Sequence, residues 1–313
     1  MGVVLQTSEV AWDVVSDGVR RAAAVARYPE RVTTTIKTVG ILSPGDMGSG
    51  VGDVLHQHGL RVLTCLSGRG TGSRERALQA GFEDVPDLEV LVRECDIVLS
   101  ILPPAVAGAV ADQVAAAVRA TGADLLYADC NAVAPGTAVA ISRTMLDAGA
   151  RFADAGIIGG PPNRSSNRTF TSGPGAHELE GLREFGLDIR VLEGGIGQAS
   201  GLKMCYAAMT KGVQALGAEL LVAARLLGVE DTLRAEQNLG PELAAVRRFV
   251  ERGLPSMPPK AYRWIGEMEE ISRCFEELGL PGRLMLGAAD VYTNFRDGGT
   301  LARELPLAPP ART

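Results

Sequence analysis

Val39-Gly-Ile-Leu-Ser-Pro-Gly-Asp-Met-Gly48, running into Ser49–His58, is an apolar strand that breaks into a glycine-rich turn and reopens as a helix. The N-terminus of a helix carries unpaired N–H groups and partial positive charge, so a pyrophosphate settles there. Gly45 lets the backbone approach the phosphates, and Gly48 lets helix and strand pack closely; they are the second and third glycines of a G-x-G-x-x-G pattern. Ser43 takes the place of the first. Pro44 is expected to push Ser43 into the extended region, which suits the last residue leaving a strand. Met47 completes the turn, and Asp46 is expected to favour the helix dipole with its carboxylate in water.

Outward from this turn, apolar runs alternate with helical patterns. The expected strands are Thr38–Leu42, Arg61–Leu66, Ile97–Leu102, Leu125–Asp129, Phe152–Ile157 and Ile189–Glu193. Between them Met47–His58, Ser73–Ala80, Leu88–Glu94, Ala105–Ala120, Thr137–Ala148 and Ala176–Phe185 read as helices. This order predicts an α/β fold, a doubly wound parallel-sheet Rossmann domain over residues 38–193 with ligands at the carboxyl ends of its strands. Beyond the glycines at 194, 195 and 197 no strand signal remains, and residues 198–228, Thr232–Glu251, Lys260–Leu278 and Arg283–Phe295 predict an all-helical domain over 194–304. Residues 1–37 read as an extension with a helix over 8–27, and residues 305–313, with three prolines, as a tail.

Where the second strand ends, a dinucleotide unit that takes NAD(H) carries an acidic residue for the adenosine ribose. Cys65-Leu-Ser-Gly-Arg69 has no carboxylate; Ser67, Arg69 and Ser73 or Arg74 suit a 2′-phosphate instead. NADP(H) is therefore expected over NAD(H). Leu102 and Pro103, at the end of the third run, are assigned to the same cofactor.

Bulk properties narrow the partners. A net charge of −6 and 4% aromatics give no footprint for nucleic acid or an anionic membrane. No segment qualifies as a membrane span, since Glu219 and Arg225 interrupt the apolar run Leu216–Val229. Five scattered cysteines without a C-x-x-C pair suggest buried reduced thiols, no metal site and a cytoplasmic protein. Residues 1–37 lack the compact apolar core and small-residue cleavage site of a secretory signal.

A proton carrier must come from elsewhere than histidine: His56 and His58 end the first helix, and His177 starts a surface-like one. Lys203 and Lys211 are the only lysines in the apolar helical run after the glycines, and Lys203 is the nearer to the domain junction, where a cleft is expected. Tyr206, Ala207 and Thr210 share its helix face, so Lys203 with Tyr206 forms the natural pair. Trp264 and Met268, four apart, read as core.

Four short motifs spread over residues 38–295 give the chain a resemblance to the β-hydroxyacid dehydrogenases, the group of 3-hydroxyisobutyrate and 6-phosphogluconate dehydrogenases. Gly40–Gly48 is similar to the family's cofactor loop, including its Met-Gly ending, and Asp129-Cys-Asn-Ala-Val-Ala-Pro135 looks like its substrate loop. Asp154-Ala-Gly-Ile-Ile-Gly-Gly160 is similar to its Ser-Gly-Gly segment, and Gly197-Gln-Ala-Ser-Gly-Leu-Lys203 places Lys203 on its catalytic lysine. Lys260–Glu270 resembles a branch whose second domain has no assigned function.

The resemblance implies hydride exchange between a nicotinamide and a carbonyl carbon, with Lys203 as general acid and base. Burial beside an apolar wall is expected to lower the lysine pKa from its ordinary value of about 10.4. It implies that Asn131 hydrogen-bonds substrate, that Gly159 and Gly160 offer N–H groups to a substrate anion, and that Tyr206 relays the proton. Arg263 or Lys260 is placed toward cofactor or substrate. Ile158 stands where the family has serine, Ala207 where it has asparagine, and Asn131-Ala132 where it has Ser-Thr. Those changes suggest a bulkier, less polar substrate than a small hydroxy acid. Two alternatives stay open: an imine reductase on the same fold, although those enzymes usually lack the lysine, and a non-catalytic NADP(H)-binding regulator. The apolar helix after Gly197 is expected to pair with a second copy in a homodimer.

Overall fold

This computed structural model describes residues 36–305; the helix expected over 8–27 and the tail beyond Leu305 lie outside the described residues. The chain divides into two compact units between Lys203 and Met204. The first contains, in order, β1 (Thr38–Leu42), α1 (Asp46–Gln57), β2 (Arg61–Thr64), α2 (Thr71–Gln79), β3 (Glu83–Asp84), α3 (Leu88–Glu94), β4 (Ile97–Ser100) and α4 (Pro104–Thr121). It continues with β5 (Leu126–Asp129), α5 (Pro135–Asp147), β6 (Arg151–Gly159), β7 (Asn167–Ser172), α6 (Ala176–Glu180) and β8 (Ile189–Val191).

The strands form one sheet in the order β3-β2-β1-β4-β5-β6-β7-β8. Strands β1 to β6 are parallel, and β6 pairs antiparallel with β7. The order reverses between β1 and β4, the switch point beside which an open α/β sheet binds its ligand. Alternate residues supply two cores, one per face: Val39, Ile41, Val51 and Leu55 on one side, Leu42, Leu63, Val98 and Ala107 on the other.

Two strands were not expected from the sequence. β3 is two exposed acidic residues that pair with β2, and Leu66 N donates to Asp84 Oδ1 at 2.8 Å. β7 reads Asn-Arg-Thr-Phe-Thr-Ser, with one apolar residue, and six register pairs to β6 from Asp154↔Ser172 to Gly159↔Asn167 hold it. Its partner, not its own patterning, makes it a strand.

Helix α7 (Gln198–Leu226) starts in the first unit and runs into the second, followed by α8 (Glu230–Leu239), α9 (Pro241–Gly253), α10 (Pro258–Glu277), α11 (Arg283–Arg296) and α12 (Thr300–Glu304). The single helix expected over Thr232–Glu251 is thus two. Pro241 has no N–H for the preceding turn and disfavours helical geometry at Gly240, so the chain breaks there and restarts with proline at the first helical position. In the second unit Trp264 meets Tyr292 edge-on at 5.2 Å, and the Tyr292 hydroxyl donates to the Lys211 carbonyl at 2.7 Å. Trp264 and Met268 are buried, as core residues should be. The cysteines depart from the reading in part: Cys95, Cys130 and Cys274 are buried, but Cys205 is exposed and Cys65 half-buried. Among the described residues no helix is long and apolar enough to cross a membrane.

Candidate functional site

The turn between β1 and α1 corrects the reading of Ser43. It is not extended: its φ is +80°, and among the described residues no other non-glycine has positive φ. The turn demands the left-handed geometry that a first glycine would supply, and serine adopts it at a cost of about 1 kcal/mol. Gly48 must be bare, because a Cβ there would lie 2.4 Å from the Ser43 carbonyl oxygen. Gly45 has no atom within 4 Å of where its Cβ would project, and no side chain caps α1, whose first internal bond is Ser49 N to Gly45 O. An open glycine beside an uncapped helix end fits a dinucleotide pyrophosphate. Arg76 fastens the turn from α2 by donating from Nε to the Pro44 carbonyl at 2.9 Å.

Beside the turn lies a cavity of about 750 Å³, lined in part by Ser43, Ser67, Arg69, Asp87 and Gln113. Its position at the ends of β1 and β2 suits an adenosine. Ser67 and Arg69 face it, whereas Arg74 supports the turn that presents them: its Nη2 donates to the Leu66 carbonyl at 2.7 Å and its Nη1 stands 3.7 Å from Asp84.

At the ends of β4 and β5 Asn131 is 2% exposed. Its Oδ1 accepts from Leu102 N at 2.6 Å, and its Nδ2 donates to Ser100 Oγ at 2.9 Å. Asn131 therefore ties two strand ends together and fixes Leu102 just before Pro103, the residue that precedes α4. Asn131 N donates to Asp129 Oδ1 at 2.9 Å, while Asp129 Oδ2 is buried with no hydrogen-bond partner among the described residues. Burial, with the neighbouring Asp154 charge adding and the Asn131 hydrogen bonds opposing, pushes the Asp129 carboxyl up to about 7.

Strand β6 and the start of α7 meet through a buried carboxylate. The fully buried Asp154 carboxylate accepts from Ser200 Oγ at 2.6 Å, Gly197 N at 2.9 Å, Ser172 Oγ at 3.0 Å and Ser200 N at 3.1 Å. Burial raises its pKa, and those donors oppose the rise. Gly156 lets the helix lie on the strand, since a Cβ there would be 2.7 Å from the Ala199 carbonyl and 3.1 Å from Lys203 Cβ. The half-buried Lys203 amine donates to the Ile157 carbonyl, near the carboxyl end of β6. Ile158 is buried and apolar, and Gly159 takes φ +119°, where a Cβ would strike the Ser166 carbonyl.

Past Gly160, the connection to β7 lies along α1. Asp46 is not simply in water: its carboxylate pairs with Arg164. The remaining candidates belong to the second unit. Tyr206 is exposed, Ala207 buried and Arg263 half-buried with its side chain near the Tyr262 ring. Lys260 is half-buried, and Lys211 pairs with Glu267 at 2.5 Å.

Sequence reasoning missed Asp154, Gly156 and Arg164 as individual residues. The Gly197-x-x-Ser200 start of α7 was a usable signal for a capped helix, though not for a cap arriving from a strand. Arg164 offered none.

The chain as a whole is similar to known proteins. A family model described as the NAD binding domain of 6-phosphogluconate dehydrogenase matches residues 38–184, and one described as a domain of unknown function, DUF1932, matches residues 224–295. An uncharacterized 28.5 kDa protein of Methanothermus fervidus is 30% identical over 195 residues, covering 62% of this chain and 74% of its own length. The solved structure of MTH1747, a conserved protein of unknown function described as similar to 3-hydroxyacid dehydrogenases, aligns at 27% identity and TM-score 0.62 over 86% of this chain and 99% of that one. A 3-hydroxyisobutyrate dehydrogenase of Mycobacterium tuberculosis shares the fold at 18% identity and TM-score 0.66, covering 88% of this chain and all 100% of that one.

Proposed function

Because the chain belongs to the β-hydroxyacid dehydrogenase family, the NAD(P)-dependent dehydrogenases acting on CH–OH groups, with a DUF1932 domain at its C-terminal side, we propose that it interconverts a hydroxyl and a carbonyl using NADP(H) and Lys203. The substrate is β-hydroxyacid-like or bulkier and less polar. The dinucleotide, when bound, supplies or accepts the hydride. The uncapped start of α1 and Gly45 hold its pyrophosphate, and Ser67 and Arg69 hold the 2′-phosphate that distinguishes NADP(H).

The observation that carries the reading is the hydrogen bond from the Lys203 amine to the Ile157 carbonyl. It keeps the ammonium near the carboxyl end of β6 rather than in bulk water, on the side of the sheet formed by the strands' carboxyl ends, where ligands of this fold bind. From there Nζ gives its proton to a carbonyl oxygen or takes one from a hydroxyl, and as an ammonium it stabilises developing alkoxide charge. Asn131 holds the neighbouring strand-end loops, and the Gly159 and Gly160 N–H groups are the proposed contacts for a substrate anion. Tyr206 is the proposed relay.

The test is a panel of hydroxy acids, ketones and imines assayed with both dinucleotides, for the wild type and Lys203→Met. The expected result is NADP(H)-dependent turnover that falls about 10²–10⁴-fold in the variant while dinucleotide binding persists. Full turnover by the variant rejects Lys203 as the proton carrier. A second reading draws on the buried Ile158 and the internally bonded Asn131, which leave fewer polar contacts for a small hydroxy acid. Turnover of imines alone would favour an imine reductase, and dinucleotide binding without turnover of any panel member a regulator.

We also propose a homodimer through α7. Leu202, Tyr206, Met209, Leu216 and Leu220 are exposed at the spacing of one helix face, a stripe that water leaves unsatisfied.

A further inference from the structure

Asp46 is the odd residue of the phosphate turn. A carboxylate in the first turn of α1 suits the helix dipole, yet it opposes the diphosphate that the same helix end receives. The partner of that carboxylate lies 118 residues along the chain: Arg164, in the connection between β6 and β7. The connection is fastened to α1 independently of the ion pair. Asn163 Nδ2 donates to Asp53 Oδ2 at 2.9 Å, and bare Gly50 lets the loop lie against the helix, since a Cβ there would stand 2.7 Å from Pro161 Cβ and 2.8 Å from Asn163 Oδ1. Its base is pinned as well, Asn167 Nδ2 donating to the Gly160 carbonyl at 2.7 Å. The backbone that carries Arg164 is thus set in place, while the guanidinium and the Asp46 carboxylate stay 60% and 50% exposed, within reach of an incoming ligand.

We propose that Asp46 and Arg164 form a charge clasp on the dinucleotide site, in which Arg164 neutralises Asp46 so that the start of α1 accepts a pyrophosphate. This makes Arg164 an affinity-determining residue, and it rests on the dinucleotide reading above. Over distances within one Debye length an uncompensated carboxylate would repel the diphosphate with little screening. The clasp also joins two functions. The loop that delivers Arg164 begins at Gly160, directly after Gly159 ends β6, so seating the diphosphate and holding the proposed substrate-anion segment depend on one piece of backbone.

The probe is ADP-ribose, which has the pyrophosphate without nicotinamide or 2′-phosphate, with uncharged adenosine as control. Both are titrated calorimetrically into wild type, Arg164→Ala, Asp46→Asn, the double variant and Arg164→Lys, with folding checked by circular dichroism. Arg164→Ala should weaken ADP-ribose about tenfold and leave adenosine unchanged. Asp46→Asn should restore most of the loss in the Arg164→Ala background and bind at least as tightly as wild type alone, and Arg164→Lys should retain most of the affinity. The clasp is rejected if Arg164→Ala binds ADP-ribose like wild type, if the double variant stays as weak as Arg164→Ala, or if adenosine weakens in step. A wild type that binds neither ADP-ribose nor either dinucleotide rejects the cofactor reading together with the clasp.

Discussion

Ser200 Oγ donates a 2.6 Å hydrogen bond to the buried carboxylate of Asp154, so a strand of the sheet caps the helix that carries Lys203. A helix start usually finds its cap in the residues just before it. Here the cap comes from β6, and Ser172 of β7 extends it by accepting from Ala199 N at 3.0 Å. Position and charge act together: the carboxylate fixes the axial register of α7, and Gly156 fixes its distance from the strand. With both set, Lys203 meets the Ile157 carbonyl.

Asp154→Ala leaves the Gly197 and Ser200 N–H groups buried without an acceptor. It should lower unfolding free energy by about 3 kcal/mol in urea titrations, and turnover should fall further than stability explains because Lys203 loses its register. Unchanged stability would contradict the capping role.

Ser43→Gly should raise stability by about 1 kcal/mol, since glycine takes positive φ without strain. Gly48→Ala should do the reverse and more, because its methyl meets backbone, the Ser43 carbonyl at 2.4 Å, rather than a side chain that can move. Thermal melts of the two variants, moving in opposite directions, check the pair.

Asp129 predicts a pH dependence of stability. Its folded pKa of about 7 lies above the ordinary carboxylate value, so between the two the folded state holds a proton that the unfolded chain has lost. Stability is therefore greatest below that window and falls as pH rises through it, by up to about 4 kcal/mol from this group. The urea midpoint should drop from pH 5 to pH 8, and Asp129→Asn should remove this share of the slope. The raised Asp154 contributes with the same sign, so the variant flattens the curve without abolishing it.

Arg69→Ala should weaken NADPH about tenfold and leave NADH nearly unchanged, because the guanidinium is proposed to meet only the extra phosphate. Fluorescence titration of the two reduced dinucleotides measures the ratio directly; equal losses for both would remove the 2′-phosphate assignment.

Met209→Glu with Leu216→Glu puts two charges into the exposed α7 stripe and should give a monomer in light scattering at micromolar concentration. A wild type that is already monomeric there would count against the homodimer.

The amino-acid sequence alone determined the strand–helix alternation, the glycine turn and the switch to an all-helical second half, because these rest on periodicity and on backbone demands that act within a few residues. It could not determine that Ser43 turns left-handed, that β7 is a strand, or that Thr232–Glu251 breaks at Gly240. At Ser43 the turn geometry overrides the extended preference that Pro44 sets, and in β7 a partner strand overrides local patterning; in the third, Pro241 gave a local warning that the apolar periodicity masked. The tertiary structure alone decided that Asp154 caps α7, that Asn131 is used inside the fold and that Arg164 answers Asp46. Each of these groups meets a residue far along the chain, and a buried polar group or a surface ion finds its partner through space, where sequence separation carries no force.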